Sequence, residues 1–145
     1  MEEPLGRQLA ITGRMVRERF DACLNQHGAS LTTWVVLRSV EHEDGLSQRE
    51  LAGRMSIESP TLVHHLDRLE EEGLVVRRRD DQDRRVTRVG LTAAGHRRYA
   101  KLREVATSVD AQLRSLLSDD EIAILEHALR RIRAQWHPDA VLVRT

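Results

Sequence analysis

The stretch Ser59-Pro-Thr-Leu-Val-His-His-Leu-Asp-Arg68 sets two adjacent histidines just ahead of an aspartate. Such a group suits metal ligation, acid–base catalysis, a buried polar cluster or hydrogen bonding to another molecule. Ligation from one helix needs imidazoles on a shared face, typically four residues apart. Successive helical residues point about 100° apart, because a turn takes about 3.6 residues, and position 68 is Arg. His64, His65 and Asp67 therefore do not make a metal clamp.

A second group is better spaced for a metal. Cys23 and His27 stand four residues apart, and Glu41 and His42 are available from the next helical segment. Thiolate, imidazole and carboxylate together suit zinc. Cys23 nevertheless lies on an apolar stripe, where a small buried thiol is ordinary core and unreactive. His27 and His42 fall at helix ends, where His is a normal last-turn residue. The expectation is no metal and no cofactor, with zinc sensing as the alternative. No Gly-x-Ser-x-Gly, phosphate-cradling glycine loop or spaced carboxylate pair is present, so no enzyme is expected.

The elements around these residues decide between the remaining readings. Leu9, Val16, Phe20 and Leu24, with Met15 and Cys23 alongside, predict a helix from about residue 5 to residue 26, stopped by His27-Gly28. Trp34, Val35, Leu37 and Val40 predict a second, ended by Glu43-Asp44-Gly45. Ser47 and Glu50 form a capping box ahead of Leu51, Ala52 and Met55. About four residues later, Ser59 as N-cap and Pro60 at the first helical position start another helix, with Leu62, Leu66 and Leu69 inward and Gly73 after its end. "LVVRRR", "DDQDRR" and "VTRVGLT" read as a hairpin around an exposed turn, with Val86, Val89 and Leu91 in partial alternation. A long helix then carries Leu102, Val105, Val109, Leu113 and Leu116 along one face, with Thr92 as a possible cap. Ser118 and Glu121 cap a last helix that Pro138 stops.

Two short helices followed by a basic hairpin spell a winged helix-turn-helix, a mainly α (α+β) fold whose second helix enters a DNA major groove. With its leucines inward, that helix turns Thr61, His64, His65 and Arg68 outward, all groups able to read base edges. Ser59 and Pro60 at the helix start, and Gln48 after the Ser47 cap, join the expected DNA-facing set, a helix N-terminus favouring phosphate. Glu70, Glu71 and Glu72 crowd the opposite end, away from the expected groove. Between Leu74 and Gly90, six arginines (77, 78, 79, 84, 85, 88) meet three aspartates (80, 81, 83), a local excess of three positive charges. Arg84 and Arg85 fall at the turn, suited to a minor groove, with Asp83 expected to brace one guanidinium. The histidine charge makes DNA affinity fall as pH rises through the histidine range.

The bulk numbers permit this. The 145 residues balance 23 basic against 23 acidic side chains, so any nucleic-acid partner must be met by local charge rather than by the total. One cysteine suits a reducing cytoplasm. The acidic start Met1-Glu-Glu-Pro shows no secretory leader, and no run approaches the roughly 20 apolar residues needed to cross a bilayer.

Residues 46 to 95, "LSQRELAGRMSIESPTLVHHLDRLEEEGLVVRRRDDQDRRVTRVGLTAAG", resemble the MarR family of bacterial transcriptional regulators, its SlyA-like members most closely. "LDRLEEEGLV", Asp-x-Asp-Arg-Arg and Leu-Thr-x-x-Gly carry the resemblance, and the flanking helices fit the family plan. The resemblance implies a homodimer built from the terminal helices and bound to pseudo-palindromic, double-stranded promoter DNA. It places Arg85 in the minor groove with Asp83 as its brace, Arg84 sharing the contact. It further implies a cleft for a small aromatic carboxylate or phenolic effector, for which Trp34, Arg14 and Arg17 are the candidates. The expected organisation is a single domain over 1–145, with the DNA-binding winged helix at 30–92 and dimerisation helices at 1–28 and 93–145. A winged helix that binds protein instead of DNA is the alternative from another class.

Overall fold

The computed structural model describes residues 3–136. Its contacts divide the chain after Val105 into two compact units. The first holds α1 (Leu5–Gln26), α2 (Leu31–His42), α3 (Gln48–Met55), α4 (Ser59–Glu71), β1 (Val75–Arg79), β2 (Thr87–Leu91) and the start of α5 (Ala93–Arg114). The second holds the remainder of α5 and α6 (Asp119–Trp136). The expected stop at Pro138 and the tail beyond it lie outside the described residues.

The core of the first unit is drawn from every element. Leu24, Val36, Leu37, Leu51, Leu62, Leu66, Leu69, Val75, Val89 and Leu102 are fully or almost fully buried. Each such side chain contributes on the order of 1.5–3 kcal/mol by leaving water. On α4 the three leucines are the predicted inward stripe, and on β1 and β2 the inward positions are Val75 and Val89. In α2 the fully buried valine is Val36, whereas Val35, expected on the stripe, is half-buried.

Local chemistry sets the element ends. Ser47 Oγ accepts the Glu50 N–H at 3.1 Å while the Glu50 carboxylate accepts the Ser47 N–H at 2.8 Å, a complete capping box. Ser118 and Glu121 repeat it at the start of α6, at 3.3 and 2.8 Å. α4 ends in a Schellman motif: Gly73 N–H reaches the Glu70 carbonyl and Leu74 N–H the Leu69 carbonyl, with Gly73 at φ 71°. Thr92 caps α5, its hydroxyl accepting the Gly95 N–H at 3.0 Å and donating to the Gly73 carbonyl at 2.5 Å. Gly95 is required by close approach, since a Cβ there would lie 2.0 Å from the Leu74 carbonyl oxygen.

Several boundaries depart from expectation. The N-cap of α4 is Glu58, not Ser59. Glu58 is extended (φ −70°, ψ 146°) and its carbonyl takes the Leu62 N–H, so Ser59 is the first helical residue and Pro60 the second. No side chain caps this end, so nothing fixed the start at the serine. The turn between α3 and α4 is three residues, Ser56 to Glu58, opened by Ser56 in the left-handed region at φ 52°. Val86 belongs to the turn, because its N–H bonds the Asp83 carbonyl and its carbonyl takes the Asp80 N–H. α5 ends at Arg114, leaving Leu116 in a turn.

β1 and β2 are antiparallel, from Val75 opposite Leu91 to Arg79 opposite Thr87. The hairpin is tied to the start of α3 by a bridge between Ser47 and Arg88 and by the Val89 N–H to the Leu46 carbonyl, 2.8 Å. The ladder thus places the hairpin beside the helix pair.

Candidate nucleic-acid interface

The outer face of α4 follows from its inner one. With Leu62, Leu66 and Leu69 buried, Ser59, Pro60, Thr61, His64 and Arg68 are exposed. His65 is half-buried, one position round the helix, and its ring lies 6.0 Å from that of His64. Burial, with His64 and Arg68 close by, holds the His65 imidazole below its ordinary pKa. His65 is therefore neutral at neutral pH, and its share of any pH response moves to lower pH than the sequence suggests. Arg68 approaches Glu72 at 3.6 Å, an exposed helical pair of small strength that leaves the guanidinium available.

The six hairpin arginines separate into two groups. Arg77, Arg79 and Arg88 bond within the protein. Arg77 meets Glu70 and Asp67 of α4, at 2.7 and 2.5 Å, and Gln48 at 3.5 Å. Arg88 binds the Asp80 carboxylate and donates to the Gly45 carbonyl at 2.8 Å. Arg79 donates to the Arg84 carbonyl at 3.2 Å. Among the described residues the guanidinium groups of Arg78, Arg84 and Arg85 have no ion-pair or hydrogen-bond partner, and all three are exposed.

The turn that presents Arg84 and Arg85 is built on two aspartates. Asp80 accepts the main-chain N–H groups of Gln82 and Asp83 at 2.8 and 3.0 Å. The Arg88 guanidinium and these N–H groups together pull its carboxyl down to about 2. Asp83 accepts the Arg85 N–H at 3.0 Å. The expectation that Asp83 braces a guanidinium is thereby corrected. It braces the Arg85 main chain, because an aspartate in a turn readily accepts the N–H two residues on. Two further roles also differ from expectation. Glu70 is not simply displaced from the groove but clasps Arg77, while Gln48, half-buried, supports the same guanidinium.

The metal and effector candidates fare differently. Glu41 pairs with His96 at 2.5 Å and His42 Nε2 lies 3.3 Å from the Tyr99 hydroxyl. The His27 carbonyl takes the Arg98 guanidinium. Among the described residues no three metal-binding side chains converge, so Cys23, His27, Glu41 and His42 are not brought together as a site. Trp34 is buried with one face stacked on Tyr99 (5.5 Å, 12°) and Phe20 edge-on at 6.0 Å. Arg14 sits 3.8 Å from Glu18 on its own helix, and Arg17 is exposed with no partner among the described residues. Neither arginine joins Trp34. Tyr99, which the sequence reading missed, is the residue that does; its place far along the chain on α5 left no local signal.

Helix pair, Ser47 bridge, hairpin and outward polar face define a winged helix-turn-helix. The MarR family profile matches residues 29–87. The transcriptional repressor CouR, bound to a 23-mer DNA duplex, is 32% identical, with 89% of this chain and 92% of that one aligned and a TM-score of 0.81. A cysteine-to-serine mutant of MarR from E. coli, complexed with operator DNA, is 25% identical over 89% of this chain and 93% of that one (TM-score 0.80). MepR from S. aureus in its DNA complex has the same fold at 23% identity, 92% and 99% coverage and TM-score 0.80. The chain belongs to the MarR family, whose members are DNA-binding transcription regulators and not enzymes.

Proposed function

We propose that this chain is a sequence-specific repressor that binds pseudo-palindromic promoter DNA as a homodimer, in the manner of the SlyA-like members of its family. The observation that carries this reading is the set of available polar groups on two adjoining elements: Thr61, His64 and Arg68 on α4, and Arg84 and Arg85 at the hairpin turn. The first set suits base edges in a major groove, and the second suits the minor groove beside it. Relatives held on DNA duplexes, CouR above all, support the same partner.

Two-fold pairing is supported by apolar side chains left exposed on the terminal helices. They include Leu5, Leu9 and Met15 of α1 and, in the second unit, Leu113 of α5 and Ile124 and Leu125 of α6, with Leu116 in the turn between those two helices. Burying such faces against a second copy gives two recognition helices at one spacing. In this organisation residues 30–92 bind DNA while 1–28 and 93–145 dimerise. Release comes from a small aromatic carboxylate or phenol near the Phe20, Trp34 and Tyr99 rings, and its support is that aromatic group. Among the described residues no helix is long and apolar enough to cross a membrane. Action on chromosomal promoters argues for the cytoplasm.

The test is binding of the protein to its own upstream promoter region by gel shift or fluorescence anisotropy across a salt series. Salt-sensitive, sequence-selective binding by a dimer is expected. Binding that ignores sequence, or none, would favour the protein-binding winged helix instead.

A further inference from the structure

We propose that Arg77 is a positioning residue for DNA binding: it sets the angle between the recognition helix α4 and the hairpin, so that Arg85 reaches its groove only while Arg77 is clasped. The inference rests on the DNA-binding reading above. Arg77 stands on β1 opposite Val89 of β2, and its side chain is only 19% exposed. Its Nε and Nη2 donate to Glu70 Oε2 at 3.1 and 2.7 Å, Nη2 also reaches Asp67 Oδ1 at 2.5 Å, and Nη1 reaches Gln48 Oε1 at 3.5 Å. The Arg77 main-chain N–H donates to Glu70 Oε1 at 3.1 Å. One planar, five-donor group thus joins the hairpin to α4 at two positions and to the first residue of α3.

The other ties of the hairpin lie elsewhere: Val89 and Arg88 bond Leu46 and Gly45 ahead of α3, and Leu74 bonds Leu69 at the end of α4. Beyond the buried Val75 and Val89, the space between helix and hairpin is an open groove of about 320 Å³ lined by Gln48, Val63, Arg77, Arg78, Arg79 and Thr87. Apolar packing does not fill it, and Arg77 on its wall bonds Gln48 of α3 and the two carboxylates of α4. Arg84 and Arg85 lie at the far end of the same hairpin, so a small rotation at Arg77 is magnified at the turn. The clasp has a second effect, because Arg77 offsets one of the two carboxylate charges that would otherwise face an approaching phosphate.

The test is a set of double-mutant cycles on a duplex selected in vitro for binding to the wild-type protein. Arg85→Ala and His64→Ala are each measured in the wild-type chain, in Arg77→Gln and in the Asp67→Asn/Glu70→Gln chain, with thermal melts confirming the fold. In the wild-type chain Arg85→Ala should weaken binding about tenfold or more. In both altered chains it should weaken binding by less than about threefold, the coupling expected when one residue acts through another. His64→Ala, on α4 itself, should cost the same factor in all three. If Arg77→Gln fails to fold, the Asp67→Asn/Glu70→Gln chain, which keeps the arginine, carries the comparison. An Arg85→Ala loss of equal size in every background overturns the proposal. Unchanged or tighter binding by Asp67→Asn/Glu70→Gln assigns Arg77 to phosphate contact and overturns it too. Loss of any Arg85→Ala effect in the wild-type chain is a different failure: the wing reading falls, and the positioning role with it.

Discussion

The strands and the tip of the hairpin put the same residue type to opposite uses. Along the strands, Arg77 and Arg88 are each held by carboxylates, Asp67 and Glu70 for one and Asp80 for the other. At the tip, Arg84 and Arg85 are exposed and have no side-chain partner among the described residues. An excess of positive charge in a segment therefore says little about how much of it another molecule can meet. What counts is where the opposing carboxylates sit, and here they come from α4 and from the turn's own first residue.

The contrast is open to experiment, and the largest effect belongs to the anchored end of the strands. Gly95→Ala forces a methyl group against the Leu74 carbonyl just ahead of β1, and should cost about 3 kcal/mol in a denaturant melt, at the upper end of overpacking effects. A loss below about 1 kcal/mol would mean that this end yields easily. Arg85→Ala at the tip should leave the melt unchanged and lower DNA affinity by about 1–3 kcal/mol. His64→Ala should lose about as much, but at one base position only; equal losses on all sequences would move His64 to a phosphate.

Two smaller effects are readable through pH. The Asp80 carboxyl is held at about 2, below its ordinary 3.8, so its contribution to the turn is complete above pH 3.8. That contribution is lost as pH falls towards 2, and Asp80→Asn should remove the dependence from amide chemical shifts at Gln82 and Asp83. His65 is also depressed, which means that the fold prefers it neutral: stability is complete above pH 6.5 and declines as acid protonates the ring. His65→Gln should flatten that decline. A DNA phosphate met by His65 would make affinity rise with acid at a lower pH than the same contact from an exposed imidazole.

Much of the frame was legible because its signals are local. Ser47 with Glu50, Ser118 with Glu121, Gly73 and Thr92 each act within a few residues, and each ends or begins the element predicted for it. The leucine stripe of α4 gave its outward face by subtraction. The start of that helix was misplaced by one residue, because Pro is tolerated at either of the first two positions and no side-chain cap chose between them. The partners of Arg77 were not legible, since Gln48, Asp67 and Glu70 converge only once the fold exists. The stacking of Tyr99 on Trp34 was hidden for the same reason. Asp83 lay between these cases: its type and place in a turn were clear, and only its preference for main chain over side chain was missed.

The anchorage of the hairpin has a consequence for how such a protein can diversify. Its first strand leaves a Schellman motif at Gly73, its second runs into the Thr92 cap, and the Leu74 carbonyl takes the Thr92 N–H at 3.1 Å. Both ends of the segment are thereby pinned to one spot, independent of what lies between Asp80 and Val86. Residues in that interval can be exchanged, lengthened or recharged without renegotiating the interior. The sequence of the exposed tip and the anchorage of the segment are in this way written in separate parts of the same excursion from Gly73 to Thr92, and one can drift while the other stands still.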